Sequence, residues 1–527
     1  MSGIDDGGSI RLAEILAALS MGIDLGFGQP MEHVLRQCRI ALRIGELVGL
    51  GEDTRSSIYY SALLVNVGCH SDAHEQAHWF GDDIAMKATK YADVEPFSLG
   101  DMILMLKLLG SGGTPLHRIR VGLDFAVSGR KGIDGMINGH AQLARQLGEE
   151  LCLGDGVLLA LATSYERWDG KGYPGELSGD AIPLASRITH LAEFMEVAHR
   201  TGDVDEALAL ARRRSGKQFD PALVEVVCAD AEKVFYGLDD LASWDAVIDA
   251  EPSLTRSLSE SECDDALAAI GRFVDIKSPY TLGHSSAVAA LAAAAGAALG
   301  LSEPEQRLLR RSGLVAGFGR LGVSNAIWDK EGPLSSGEWE RARLHPQYTE
   351  RMLHRSPALA LAGRLAGQIR ERLDGSGYPA GLEGAAISRL SRVLATADAF
   401  QSMREPRPHR PALPLADATQ ALRDDVRAGR FDVTAVDAVL TAAGERVGRR
   451  REGPSGLTER EVEVLQCLSR GLSNKEIAAR LVISPKTVGN HIEHVYTKIG
   501  ATNRASASLY AMRQGLLPEA EGGDPAG

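Results

Sequence analysis

Residues 166–174 read Glu-Arg-Trp-Asp-Gly-Lys-Gly-Tyr-Pro, and residues 371–379 read Glu-Arg-Leu-Asp-Gly-Ser-Gly-Tyr-Pro. The second stretch lies 205 residues after the first, and upstream the offset that aligns the two halves becomes 251. Two constant offsets indicate a duplicated domain, in which the first copy carries 46 extra residues between about 70 and 135. The residues paired by these offsets include His33 with His284, His140 with His345, and Glu193 with Asp398.

The composition is typical of a multi-domain protein from a reducing compartment. A chain of 527 residues is too long for one hydrophobic core. The six cysteines include no C-x-x-C pair, which predicts free thiols in a cytosol. The N-terminus does not resemble a secretory signal, and the longest apolar run, residues 287–301, is too short to span a bilayer. We therefore expect a cytoplasmic protein with no membrane partner.

Hydrophobic periodicity predicts an all-α fold. Apolar residues recur at helical spacing through both copies, and no stretch alternates with period two for long enough to favour a strand. Acidic, serine-rich and glycine-containing stretches indicate the domain boundaries. The predicted order is a lead-in over 1–30, a first repeat over 31–236, a linker over 237–262, a second repeat over 263–442, a linker over 443–456, a C-terminal domain over 457–515 and a disordered tail over 516–527.

The repeated D-G-x-G-Y-P phrase must form a loop, because two glycines and a proline within five residues break a helix. The phrase, with the helix that follows it, resembles the HD-GYP family of helical, metal-dependent phosphohydrolases. That resemblance implies cyclic-di-GMP phosphodiesterase activity for active members, and a centre of two or three metal ions, often iron or manganese. The motif residues are Asp169, Gly170, Gly172, Tyr173 and Pro174 in the first copy and Asp374, Gly375, Gly377, Tyr378 and Pro379 in the second.

The family's metal ligands are only partly retained. Those kept are His33, His140 and Glu193 in the first copy and His284, His345 and Asp398 in the second. The changed positions are Val65, Asn66, Cys69, Ser164 and Tyr165 in the first copy and Ala316, Gly317, Arg320, Ile369 and Arg370 in the second. Because the carboxylate that bridges the metal ions is missing from both copies, a dinuclear centre cannot assemble from these residues.

Three interpretations of the changed sites remain open. In the first, both repeats are catalytically inactive sensor or scaffold modules. In the second, each repeat keeps a single iron or manganese ion on its two histidines and its carboxylate, a known ligand set for ferrous iron. In the third, nearby side chains rebuild a site, with Cys69, His70, Asp72 and His74 as the candidates.

Residues 457–515 follow the pattern of a helix-turn-helix. Thr458 and Ser484 cap predicted helices, Pro485 takes the first position of the longest of them, and Gly500 ends it. The wording L-T-x-R-E-x-E-V-L, G-x-S-N-K-E-I-A and S-x-x-T-V-x-x-H-I resembles the LuxR/FixJ-type DNA-binding domain along its full length. The resemblance implies four helices, and because the net charge of the whole chain is −13, contact with DNA must be local to this domain.

By the same resemblance, the helix over 485–499 enters the major groove and the last helix pairs two monomers on double-stranded DNA. Thr487, Asn490 and His491 would face the DNA, and Lys475, Lys486 and Lys498 would reach phosphates. Family members often carry basic residues where this chain has Gly489 and Glu493. The small core should consist of Ile477, Leu481, Val488, Ile492 and Val495.

The sequence thus predicts a homodimeric transcription regulator whose two repeats sense a small-molecule or nucleotide ligand, or a partner protein. The alternative is a metal-dependent phosphohydrolase of the cyclic-di-GMP type that also binds DNA. The retained histidines favour that enzyme, and the missing bridging carboxylate opposes it. A scaffold that uses its DNA-binding domain only for localisation is a third possibility.

Overall fold

In the computed structural model of this protein, the described residues are 10–91, 107–110, 115–125, 130–238, 243–252, 257–446 and 454–517. Their regular secondary structure is almost entirely helical, which confirms the predicted fold class. The described residues divide into two compact units, one up to Ala266 and the other from Leu267 onward. Within the described ranges, no helix has both the length and the apolar character needed to cross a bilayer.

The first unit contains the first repeat. It opens with β1 (Ile10–Arg11), which pairs antiparallel with β2 (Ser257–Leu258). Between the two strands run α1 (Leu12–Gly26), α2 (His33–Leu47), α3 (Glu52–Leu64), α4 (Ala73–Phe80), α5 (Asp83–Ala88), α6 (Pro115–Asp124), α7 (Arg130–Glu150), α8 (Asp155–Ala162), α9 (Leu184–Thr201), α10 (Val204–Arg214), α11 (Pro221–Ala229), α12 (Ala231–Phe235) and α13 (Ser243–Asp249). Helices α2, α3 and α9 pack on one another, and α2 and α9 carry His33 and Glu193.

The predicted lead-in over 1–30 is wrong where the structure describes it. Helix α1 is buried on nearly all sides, because apolar residues occupy every face. A helix of that kind has no amphipathic period that would distinguish it in sequence. The 251-residue offset maps α1 onto α14 (Glu260–Asp275), and the buried Asp24 accepts a hydrogen bond from the Val34 N–H just as Asp275 accepts one from the Ser285 N–H. The duplicated unit therefore begins near residue 10 and again near residue 260.

The predicted linker over 237–262 is also partly wrong. Helix α13 and strand β2 lie within it, and both belong to the packed unit. The Tyr59 hydroxyl donates to the carbonyl oxygen of Val247 at 3.0 Å, and the Tyr60 hydroxyl donates to Glu251 at 2.6 Å. The acidic and serine-rich composition of this segment concealed the few apolar residues that hold it against the core.

The second unit contains the second repeat and the C-terminal domain. After α14 come α15 (His284–Ala298), α16 (Glu303–Val315), α17 (Asn325–Trp328), α18 (Ser336–Arg343), α19 (His345–Leu353), α20 (Pro357–Gly367), α21 (Arg389–Arg404), α22 (Leu415–Arg427) and α23 (Val433–Arg446). Helix α15 packs against α16, α21 and α23, which places its first residue, His284, beside the middle of α21.

The C-terminal domain consists of α24 (Glu459–Ser469), α25 (Asn474–Leu481), α26 (Pro485–Ile499) and α27 (Arg504–Arg513). Thr458 and Ser473 form capping boxes with the glutamates three residues later, and the Ser484 hydroxyl accepts from the Thr487 N–H. Val482 makes the tight turn between α25 and α26 in the left-handed region, with φ 55°. The predicted core is confirmed, with Ile477, Val488 and Val495 buried and Leu481 and Ile492 packed against them.

Parts of the insertion and of the tail fall outside the described residues. The insertion holds α4, α5 and α6 and a short turn at Thr89–Tyr91, while residues 92–106, 111–114 and 126–129 lie outside. Of the predicted disordered tail, residues 518–527 lie outside, whereas Leu516 and Leu517 pack against the core of the DNA-binding domain. Of the predicted linker over 443–456, residues 443–446 complete α23 and residues 447–453 lie outside.

Candidate functional site

The D-G-x-G-Y-P phrase forms the same turn in both repeats, held by a buried glutamate. Glu166 accepts hydrogen bonds from the backbone N–H groups of Glu176 and Leu177, and Glu371 accepts from those of Ala380 and Leu382. A Cβ on Gly172 would lie 2.5 Å from the carbonyl oxygen of Tyr165, and on Gly377 it would lie 2.6 Å from that of Arg370. Only glycine fits there. Asp169 and Asp374, which accept from N–H groups two residues on, complete the turn at Gly170 and Gly375.

In the first repeat, the late-helix carboxylate of Glu193 is bound by a lysine from the insertion. The Lys90 ammonium donates to Glu193 Oε1 at 2.6 Å and to Asn66 Oδ1 at 2.9 Å. The Asn66 amide and the Tyr91 hydroxyl also donate to Glu193 Oε1, at 2.6 Å and 2.9 Å. Asn66 occupies the position of the family's bridging aspartate, so an amide and an ammonium surround the carboxylate where metal ions would lie.

The charge state of Glu193 is set by these contacts. Burial on its own raises the pKa of this carboxyl, but the charge and hydrogen bond of Lys90, together with the Asn66 hydrogen bond, outweigh it and lower the pKa to about 2. Glu193 is therefore ionised and neutralised within the protein. A buried ion pair of this kind stays favourable only while both partners are present.

The two retained histidines of the first repeat, His33 and His140, each contact a carboxylate. His33 bonds to Glu196 through Nδ1, and its Nε2 faces the Tyr91 hydroxyl at 3.4 Å. His140 Nε2 lies 2.6 Å from Asp72 Oδ2. Burial lowers the pKa of His140, but the neighbouring Cys69 and Asp72 raise it to about 10, which predicts an imidazolium that cannot donate a lone pair to a metal.

In the second repeat, Asp398 on α21 is also paired with a cation of the protein. Arg370, at a position where the family has a histidine, places Nη1 3.0 Å from Asp398 Oδ2. His284 bridges two carboxylates, with Nε2 3.1 Å from Asp398 and Nδ1 2.8 Å from Glu405. Burial raises the pKa of Asp398, but the Arg370 and His284 charges hold it well below its usual range.

A second arginine and a neutral histidine complete this site. Arg320, at the family's lysine position, is half-buried, with its guanidinium 5.6 Å from the Trp328 ring centre. Burial lowers the pKa of Arg320, and repulsion from Arg407 and Arg370 lowers it further, to about 10. Burial and the charges of Arg370 and Arg320 lower the pKa of His345 to about 3, and its Nδ1 donates to a backbone carbonyl at 2.8 Å.

The donor set of neither repeat fits the metal centre of the family. Each retained carboxylate is neutralised by a lysine or an arginine, and in the described ranges no group of three histidine, cysteine, aspartate or glutamate side chains is arranged to hold a metal ion. The residues predicted to hold a single metal ion do not point to a common position, because His140 contacts Asp72 and His345 bonds to a backbone carbonyl. In the candidate set in which nearby side chains rebuild a site, Cys69 and Asp72 both contact His140.

The polar face of the C-terminal domain is exposed where the sequence places the DNA contacts. Lys475, Lys486 and Asn490 are exposed, and Thr487 and His491 are half-buried on α26. Lys498 is different, because its ammonium donates to Glu461 Oε2 at 2.7 Å and to the carbonyl oxygen of Gly456 at 3.0 Å. Its predicted phosphate contact would compete with that ion pair.

Sequence reasoning missed several of the residues that shape the two centres. Lys90 and Tyr91 lie in the stretch between about 70 and 135 where the first repeat carries 46 more residues than the second. Glu196 and Glu405 hold the equivalent histidines, yet the 205-residue offset does not relate them. In the sequence, the replacement of a family histidine by Arg370 was the sign that a cation of the protein itself could occupy the second centre.

Comparisons with protein families identify both parts of the chain. Residues 134–223 and 269–435 match the family described as HD domain. Residues 455–511 match the family described as bacterial regulatory proteins, luxR family. These matches cover the retained histidine of the first repeat's α7, the second repeat and the whole helix-turn-helix, and they confirm both predicted resemblances.

Individual relatives are similar to this chain over most of its length. The chain is 33% identical over 436 residues to 3′3′-cGAMP-specific phosphodiesterase 3 of Vibrio cholerae, a match that covers 82% of this chain and 93% of that protein. A crystal structure of a cyclic GMP-AMP-specific phosphodiesterase from V. cholerae superimposes with a TM-score of 0.58 at 30% identity, over 83% of this chain and 98% of that one. The transcriptional regulatory protein LnrK of Bacillus subtilis is 47% identical over 60 residues, which cover 11% of this chain and 27% of LnrK.

Proposed function

Because this chain belongs to the HD-domain family and ends in a luxR-family regulatory domain, we propose that it is a DNA-binding transcription regulator with sensory repeats. The repeats sense a ligand or partner without hydrolysing it, and they control how a dimer of the chain engages double-stranded DNA. The observation that carries this proposal is the pairing of both late-helix carboxylates, Glu193 and Asp398, with cations of the protein itself.

A phosphodiesterase of this family needs metal ions to activate water and to stabilise the charge on the phosphate. Lys90 and Arg370 supply positive charge at the two centres but cannot lower the pKa of a bound water as a metal ion does. No hydrolytic step can therefore be assigned to the residues present. What remains is a pair of folded, charged centres suited to binding.

The DNA-binding domain lies against the loop that leads into the second centre. The Gly283 N–H, immediately before His284, donates to the sulfur of Met512 on α27 at 3.0 Å. In the same loop, the carbonyl oxygen of Tyr280 accepts from Arg407 at 2.7 Å. A change at the second centre thus has a short physical route to α27, the helix that the family uses for dimerisation.

Replacing Lys486 by alanine is expected to weaken binding to all DNA sequences by about three- to tenfold and to lower the slope of log affinity against log salt by about 1. The reason is that an exposed lysine on α26 neutralises one phosphate. Glu493→Ala on the same helix is the matched variant of opposite sign, because it removes an exposed negative charge and should raise affinity. Gel shifts across a salt series measure both, and an unchanged affinity and slope for Lys486→Ala would contradict the docking.

The metal content of the protein tests the sensory role of the repeats. After expression with added iron and manganese, elemental mass spectrometry of the full chain should find far less than one equivalent of either metal per repeat. One equivalent or more, lost when His140 and His345 are replaced by alanine, would favour the alternative. That alternative is a phosphodiesterase fused to a DNA-binding domain, and its support is the activity for which the V. cholerae relative is named.

A further inference from the structure

The cations of the two repeats differ in whether each is paired with a carboxylate. In the first repeat, the Lys90 ammonium is bound by Glu193 and by the Asn66 amide oxygen, so its charge is compensated. In the second repeat, Arg370 takes the carboxylate of Asp398, and Arg407 donates to Glu405 and to a backbone carbonyl. Among the described residues, Arg320 forms no ion pair, and Asp398 and Asp275 act on it only by longer-range attraction.

The surroundings of Arg320 favour an anion. Within the part of the chain that the structure describes, its guanidinium makes no hydrogen bond and lies within ion-pair distance of no carboxylate. The guanidinium groups of Arg407 and Arg370 repel it, and this repulsion is stronger than the attraction exerted by the carboxylates of Asp398 and Asp275. The Nε of Arg370 is buried and has no hydrogen-bond acceptor. Buried donors of this kind are rarely left unsatisfied, and an unpaired buried charge is costly.

We propose that the second repeat binds a phosphate group through Arg320 and Arg370 without a metal ion, whereas the first repeat is closed to such ligands by Lys90. This proposal rests on the proposed sensory role of the repeats and names the ligand class of one of them. A guanidinium offers parallel N–H donors that match two oxygens of a phosphate. The neutral His345 adds no charge that would compete for the anion.

Three probes distinguish the source of the phosphate: inorganic phosphate, guanosine monophosphate and 3′,3′-cGAMP, each added to the full-length protein in a phosphate-free buffer. Thermal unfolding and titration calorimetry should detect binding of at least one of them. Tighter binding of a nucleotide than of inorganic phosphate identifies a phosphate ester as the ligand, and equal binding identifies the free anion. No binding of any probe would overturn the proposal.

Variants separate a ligand contact from a structural role. Arg320→Ala should lower affinity by about tenfold or more, because a hydrogen-bonded charge is lost. The same variant should unfold at the same or a higher temperature without ligand, because it removes a cation that makes no hydrogen bond and no ion pair and that two other guanidinium groups repel. Arg320→Lys should bind with intermediate affinity, and Arg364→Ala, an exposed arginine on α20, should bind as the wild type does. Unchanged affinity or a lower unfolding temperature for Arg320→Ala would refute the assignment.

The proposed regulatory function and the proposed ligand class can be disproved independently. If the wild-type protein shifts DNA in a gel but binds none of the three probes, only the ligand class is wrong. If it binds a probe through Arg320 but no DNA under any condition, the phosphate site stands and the regulatory function is wrong.

Discussion

Replacing Lys90 by methionine is expected to destabilise the first repeat by about 3 kcal/mol, because it leaves Glu193 ionised, buried and without its cation. The Asn66 amide and the Tyr91 hydroxyl would remain as donors, but neither carries a charge. Hydrogen–deuterium exchange on the full-length chain should show the loss as faster exchange in α2, α3 and α9. The second repeat should be unaffected.

A second substitution should reverse most of that loss. Lys90→Met combined with Glu193→Gln removes both charges and keeps an amide that Asn66 and Tyr91 can bond, so the double variant should approach wild-type protection. Lys171→Met, at an exposed lysine of the same repeat, is the control and should change little. If the double variant is as unstable as Lys90→Met alone, the lysine stabilises the repeat by packing, and its charge is not the cause.

Gly319→Ala is expected to destabilise the second repeat by about 3 kcal/mol or to prevent its folding. A Cβ at this position would lie 1.8 Å from the carbonyl oxygen of His345 and 2.9 Å from the backbone nitrogen of Thr349. Those atoms belong to the backbone of α19, which cannot move aside as the end of a flexible side chain can. Chemical unfolding followed by near-ultraviolet circular dichroism, with exchange measurements to localise the effect, would record it.

Gly337→Ala is the matched control for this steric effect. Gly337 lies inside α18, and a Cβ there would meet no atom within 4 Å. Alanine should therefore stabilise the helix by about 0.5–1 kcal/mol, because glycine loses more conformational freedom on folding. Equal stability of the Gly319→Ala and wild-type proteins would mean that the close approach of the backbone at Gly319 to α19 is not required.

The sequence was sufficient for those features whose signals are local or repeated. The C-terminal domain could be predicted helix by helix, because Thr458, Ser473 and Ser484 mark helix starts with capping chemistry that acts within one turn. The duplicated domain could be predicted because its motif recurs at a fixed offset. Helix α1 could not be recognised as core, since a helix that is apolar on every face lacks the period that reveals one side as buried.

The composition of the two centres could be predicted only in part. The loss of the metal ligands can be recognised from the residues at the family's ligand positions, but the cations that take the place of the metal ions cannot. Lys90 reaches Glu193 across about one hundred residues, and nothing in the local pattern around a lysine indicates such a partner. The predicted phosphate contact of Lys498 raises the same difficulty, because its bond to Glu461 depends on how α24 and α26 pack.

The pairing of β1 with β2 brings residues 10–11 beside residues 257–258, so the chain enters and leaves the first repeat at one place. A unit with adjoining ends can be copied in tandem without threading one copy through the other, because the second begins where the first has closed. Gene duplication at such a junction yields two complete folding units at once. Each copy then holds its own cation, Lys90 in the first and Arg370 in the second, at the carboxylate that both retain.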